Sequence, residues 1–150
     1  MSTDILKSSL IKIKLENKVC GYRVNVNSKT NEAILLDRTA NVLAENPSVI
    51  ILEAENISDR EFLNIADKIK ILCSEFDGTL IVKSRADFVY ILEADGILLN
   101  ENSIQKSKAA EICPHDALIG YNSNIDGYDF VFYEDTLTVN DTSIKVENIF

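Results

Sequence analysis

The sequence has only two prolines and five glycines in 150 residues. That is too few for a flexible linker, so one domain spanning residues 1–150 is expected. It has one histidine and three cysteines, Cys20, Cys73 and Cys113, at no metal or redox spacing. These offer little means of binding zinc and read as reduced thiols in a cytoplasmic protein. Positive charge is scarce: 15 Lys and Arg stand against 24 Asp and Glu, a net charge of −9. Nucleic acid and anionic membranes need a basic surface, so neither is expected as a partner. The first ten residues, MSTDILKSSL, carry no apolar core of signal-peptide length, and no later run approaches a membrane span. A glycine-rich phosphate loop, a Ser-His-Asp order and a metal-ligand cluster are all missing.

What is present is an ordinary globular composition, 46% apolar and 26% charged. Leu10–Leu15 alternates apolar residues with lysine, which predicts a strand with one wet face. Glu16-Asn17-Lys18 would turn it into Val19–Val26, giving an N-terminal hairpin. Glu32–Glu45 then places Leu36, Ala40 and Leu43 on one helical stripe, ended by Asn46-Pro47. Val49–Leu52 is a fully apolar strand. Ser58 and Glu61 form a capping box before Phe62, Ile65, Ala66, Ile69, Leu72, Cys73 and Phe76, a single buried face.

The stretch Thr79–Asn102 repeats the rhythm: Leu80–Val82 as strand, Asp87–Ala94 as helix, Ile97–Leu99 as strand, entered through the turn Asp95-Gly96. A helix over Ser103–Ile112, capped by Ser103, and a strand at Leu118-Ile119 follow. Continuous apolar strands separated by helices predict a parallel sheet covered on both faces. After Tyr121 the segments Phe130–Tyr133, Thr136–Val139 and Ser143–Val146 come too close together for crossover helices, and the last two read as a hairpin around Asn140-Asp141.

Glu53–Ala66 (EAENISDREFLNIA), Leu80–Asp87 (LIVKSRAD), Ala94–Asn100 (ADGILLN) and Ile119–Asn124 (IGYNSN) resemble the thiamine phosphate synthase family, which includes the TenI-like thiazole tautomerases. The resemblance runs from about residue 22 to 133 and falls on Asn56, Ser58, Arg60, Glu61, Phe62, Arg85, Asp87, Ala94-Asp95-Gly96 and Ile119-Gly120. It implies a TIM-barrel-like α/β fold. A barrel with a helix after every strand needs at least about 200 residues. The expectation is therefore a truncated barrel of five to six mainly parallel strands, with β-hairpins added at both termini. Its open edges would be capped by those hairpins or paired in a homodimer.

The same resemblance implies an activity that the matching positions do not support. Family synthases join an aminopyrimidine pyrophosphate to a thiazole phosphate, with magnesium on the pyrophosphate. Where the family carries glutamine, arginine and lysine after strand two, this chain has Ile51, Glu53 and Glu55. Lys83-Ser84 stands in place of asparagine and a magnesium-binding aspartate, and Ser103 in place of a second magnesium carboxylate. Asn122 replaces the pyrophosphate-contacting serine, and Asn124 the tautomerase histidine. No cofactor is therefore expected, since the magnesium ligands are missing, and no catalytic residue is assigned.

Glu53, Glu55, Lys83, Arg85, Asn100, Glu101 and Asn122 are expected to converge at the C-terminal ends of the strands, either as a pocket for a small molecule or as a solvated rim of ion pairs such as Lys83–Glu53. Cys113-Pro114-His115-Asp116 belongs to the opposite face as a helix-ending loop. Asp126, Asp129, Glu134 and Asp135 fit no calcium loop and read as surface. The leading expectation is a catalytically inactive relative kept as a binding or interaction module. The rivals are a divergent transferase or tautomerase of thiamine biosynthesis, and a small-molecule sensor using the barrel mouth.

Overall fold

In the apolar runs Val49–Leu52, Leu80–Val82 and Ile97–Leu99 every residue is buried, because one side of the strand faces helices and the other faces the inside of the sheet. A computed structural model describes residues 11–17 and 20–149. Its strands are β1 (Cys20–Val26), β2 (Ser48–Ala54), β3 (Thr79–Lys83), β4 (Gly96–Leu99), β5 (Leu118–Tyr121), β6 (Phe130–Tyr133), β7 (Thr136–Val139) and β8 (Thr142–Asn148). They pair in sequence order, and β8 returns to pair with β1, closing an eight-stranded barrel. All pairs are parallel except β6–β7 and β7–β8. Four helices cover the outside of β1–β5: α2 (Glu32–Glu45), α3 (Asp59–Glu75), α4 (Ala86–Leu92) and α5 (Lys106–Ile112). A further helical segment, α1, spans residues 11–16. No helix among the described residues is long and apolar enough to cross a membrane.

The expected partial barrel of five to six strands is thus corrected to a closed, mixed one of eight. The length argument fails because it counts a helix for every strand. Here β5 reaches β6 through residues 122–129 without a helix, and β6, β7 and β8 are joined by tight turns. Eight extended residues can span up to about 27 Å, ample to descend the length of a four-residue strand. Tyr128 packs against Tyr121 on the way, the rings tilted by 37° with centroids 5.0 Å apart, and the Asp129 carboxylate accepts from the Ile119 amide at 2.9 Å. The C-terminal hairpin supplies two ring members and so does more than cap an edge. With the ring closed, the open edges expected to pair two chains are not there.

The N-terminal hairpin is also corrected. Residues 11–16 are helical and β1 is flanked on both sides by parallel strands, so no edge is left for a hairpin partner; Leu10, Lys18 and Val19 lie outside the described residues. Ile11 and Leu15 sit one helical turn apart and pack against the barrel interior from its N-terminal end, while Ile13 is 53% exposed. Lys14 pairs with Asp77 at 2.7 Å and Lys12 with Asp129 at 3.6 Å, tying this plug to the base of the barrel.

Two cores result. Val49, Ile51, Ile81, Leu98, Leu118, Phe130, Phe132, Leu137, Val139, Ile144, Val146 and Leu15 fill the barrel. The alternate residues, such as Val24, Ile50, Leu52, Leu80 and Val82, meet the helices. On β7 and β8 only the inward residues are buried, because none of the described helices covers that side. Gly120 lets this interior close: a Cβ there would lie 2.2–2.4 Å from three atoms of the Phe130 ring. Two details of the helices differ from expectation. The buried stripe of α2 is Leu35, Thr39 and Leu43, with the Thr39 hydroxyl satisfied by the Leu35 carbonyl at 2.8 Å. Ser103 does not cap α5, which begins at Lys106 behind Gln105.

Candidate functional site

Inward alternation that begins in apolar layers ends in polar residues at the C-terminal mouth of the barrel. On β2 the series Val49, Ile51 continues to Glu53, and on β3 Ile81 continues to Lys83. Arg23 of β1 and Asn148 of β8 line the same hollow as Glu53. The charges form a chain: Asp135 to Arg23 at 3.8 Å, Arg23 to Glu53 at 3.6 Å, and Glu53 to Lys83 at 3.2 Å. Both cations meet the same carboxylate oxygen, Oε2 of Glu53. Glu53 and Lys83 are half-buried, with side chains 23% and 22% exposed. The Arg23 guanidinium also lies 5.5 Å from the Phe132 ring centre. The expected Lys83–Glu53 ion pair is therefore present.

The other expected residues are distributed around this chain. The Glu55 carboxylate accepts from the Asn25 side-chain amide at 2.7 Å. Arg85 lines a hollow of about 380 Å³ with Glu53, Lys83, Ser84 and Asn100, but its guanidinium is fully engaged. It donates to both Asp59 oxygens at 3.1 Å and to Asp87 at 2.8 and 3.0 Å. It also stacks 3.8 Å over Phe88, which in turn stacks on Phe62 at 5.1 Å. Hydrogen bonds from Arg85 hold the Asp59 and Asp87 carboxyls below their ordinary range, and those to Asp87 and Asp59 raise the guanidinium further. Arg85 is a clamp between the starts of α3 and α4. Glu101 and Asn122 line a neighbouring hollow of about 350 Å³ with Tyr121, which meets the first at Asn100.

Ser84 and Ser103, from two different loops, come together here. Ser84 adopts a left-handed backbone (φ 68°), and the Ser103 hydroxyl donates to its oxygen at 3.1 Å. Ser103 Oγ also accepts from the Asn100 backbone amide at 3.0 Å, which is its role in place of the expected helix cap. Magnesium favours carboxylate oxygens. At this point the protein offers two neutral hydroxyls and the Asn100 amide, while the nearby Glu53 and Asp59 are already neutralised by Lys83, Arg23 and Arg85. The donor set does not fit magnesium. Among the described residues no group of three or more His, Cys, Asp or Glu side chains could hold a metal ion.

Arg23, Asn25, Asp59, Asp135 and Asn148 belong to this site and were not anticipated from the sequence. For β1 the signal was available: Val24 and Val26 face the helices, so Arg23 and Asn25 must face the barrel. Asp135 was grouped with a surface acidic run, but it reaches the site because β7 starts at the mouth. On the opposite face Cys113 is buried, and burial pushes its thiol up to about 11, which leaves no thiolate for nucleophilic chemistry.

Residues 23–126 match the family model described as thiamine monophosphate synthase. The thiamine-phosphate synthase of Clostridium perfringens strain 13 is 31% identical over 102 residues, covering 68% of this chain and 46% of that protein. The thiamine-phosphate synthase of Methanococcus maripaludis strain C7 is 27% identical over 103 residues, covering 69% and 48%. The chain thus spans about half the length of these relatives. A thiamine phosphate pyrophosphorylase from Pyrococcus furiosus shares the fold, with a TM-score of 0.64 at 22% identity over 79% of this chain and 61% of that one.

Proposed function

The chain belongs to the thiamine monophosphate synthase family, and on that premise we propose that it is a non-catalytic member that binds a small molecule at the mouth of its barrel. The observation that carries this reading is the Ser84–Ser103 hydroxyl pair, 3.1 Å apart where the resemblance calls for two magnesium carboxylates. Displacing pyrophosphate requires its charge to be neutralised as the bond breaks. A hydroxyl pair draws no cation to that point, Lys83 and Arg23 are spent on Glu53, and Arg85 is spent on Asp59 and Asp87. Glu55 adds a further negative charge at the rim. The turn Glu134-Asp135 and the β7–β8 hairpin occupy the side of the barrel where later βα units would supply phosphate-binding loops.

The rival is a divergent enzyme of thiamine biosynthesis using Lys83 and Arg23 as its electrophilic groups. Incubating the protein with an aminopyrimidine pyrophosphate, a thiazole phosphate and magnesium separates the two. No thiamine phosphate above the protein-free rate is expected. Product whose rate drops in Lys83→Ala would establish the rival.

A further inference from the structure

Among the described residues the cations at the mouth are all paired with carboxylates, Glu101 is an acid without such a partner, and several amides make no side-chain bond. In the 380 Å³ hollow Glu53 answers Lys83 and Asp59 answers Arg85; in the adjoining hollow Arg23 answers Glu53. The side chains of Asn56, Asn122 and Asn148 line the three hollows, one each, and make no side-chain hydrogen bond among the described residues. Each carboxamide carries two donors and one acceptor oxygen and no charge. Apart from the Glu101 carboxylate, which repels anions, the binding capacity left over is neutral, and it points both ways, donating and accepting.

From this we infer that the mouth selects an uncharged, hydrogen-bonding small molecule and rejects its phosphorylated counterparts. An incoming phosphate would have to draw Lys83 or Arg23 away from Glu53 and leave that half-buried carboxylate with one of its two cations. It would also meet Glu55 and Asp135 at the rim. A neutral heterocycle or polyol meets none of these costs and can satisfy the free amides. This inference rests on the reading of the barrel mouth as a binding site, and adds the class of ligand.

The test is a matched pair of probes in titration calorimetry: the family's aminopyrimidine as its alcohol and as its pyrophosphate, with the thiazole alcohol and thiazole phosphate as a second pair. At least one alcohol is expected to bind, at least tenfold tighter than its phosphorylated partner. Asn122→Ala and Asn148→Ala should each weaken it on the order of fivefold, the effect of one hydrogen bond. Unfolding temperatures of both variants check that the barrel is intact. Glu53→Gln keeps the shape while freeing Lys83 and Arg23, and should raise pyrophosphate affinity at least tenfold, with a gain that salt erases. Preference for the phosphorylated probes, no binding of either alcohol, or no gain in Glu53→Gln would each overturn the inference. Pyrophosphate bound as tightly as its alcohol, without turnover, would defeat this inference alone, whereas turnover would defeat the non-catalytic reading.

Discussion

Closing an eight-stranded barrel on short strands makes its interior intolerant of added volume, and Gly120 is where this should be measured. Its backbone lies outside the left-handed region, so alanine introduces no backbone strain and only a methyl group. That methyl would sit 2.2, 2.4 and 2.4 Å from Cε2, Cδ2 and Cζ of Phe130. Ordinary carbon contacts begin near about 3.5 Å, so the ring must retreat by roughly an ångström. Phe130 is buried, held among Leu118, Phe132, Leu137 and Ile144, and cannot retreat without displacing them. Gly120→Ala should therefore cost about 3 kcal/mol, the upper end of overpacking penalties. Phe130→Ala leaves a cavity at about 3–5 kcal/mol. In the double variant the methyl has no ring to strike, so the combined loss should fall short of the sum by about 2 kcal/mol or more. Urea unfolding of the four proteins, compared at constant m-value, reads this coupling. Additive losses would show that Gly120 and Phe130 do not meet as described and would refute the packing argument.

Leu15→Ala should cost about 2–4 kcal/mol and Ile13→Ala less than about 0.5 kcal/mol in the same assay. Equal losses would favour a strand, in which Ile11, Ile13 and Leu15 share a face. The Asp59 and Asp87 carboxyls titrate below their unfolded values, so the clamp with Arg85 adds stability above the unfolded carboxyl pKa, near about 4. That stability is lost as pH falls further. Arg85→Met should therefore flatten the fall in melting temperature below about pH 4 relative to wild type, and an unchanged acid limb would show the clamp to be energetically silent. Thr79 carries a buried hydroxyl with no hydrogen-bond partner among the described residues, so Thr79→Val should raise stability by about 1 kcal/mol. A loss would mean the hydroxyl is satisfied.

The sequence on its own determined the βα rhythm through β5, because strands buried on both faces need unbroken apolar runs and helices need the three-four spacing seen in Phe62, Ile65, Ala66 and Ile69. It also put serines at 84 and 103, where the resemblance implies magnesium carboxylates, since that is a matter of residue identity. It left three things open. Alternation in Leu10–Leu15 fits a strand, yet β1 has strands on both sides and residues 11–16 form a helix that plugs the barrel. Arg85 was placed in the pocket by its position after β3, yet its guanidinium is held by Asp59 and Asp87, which lie on two different helices. Ring closure itself hangs on pairings between β1 and β8, residues far apart in the chain, such as Gly21 with Val146. No local pattern encodes those contacts, because each strand's alternation says which residues turn inward and nothing about which strand will lie beside it.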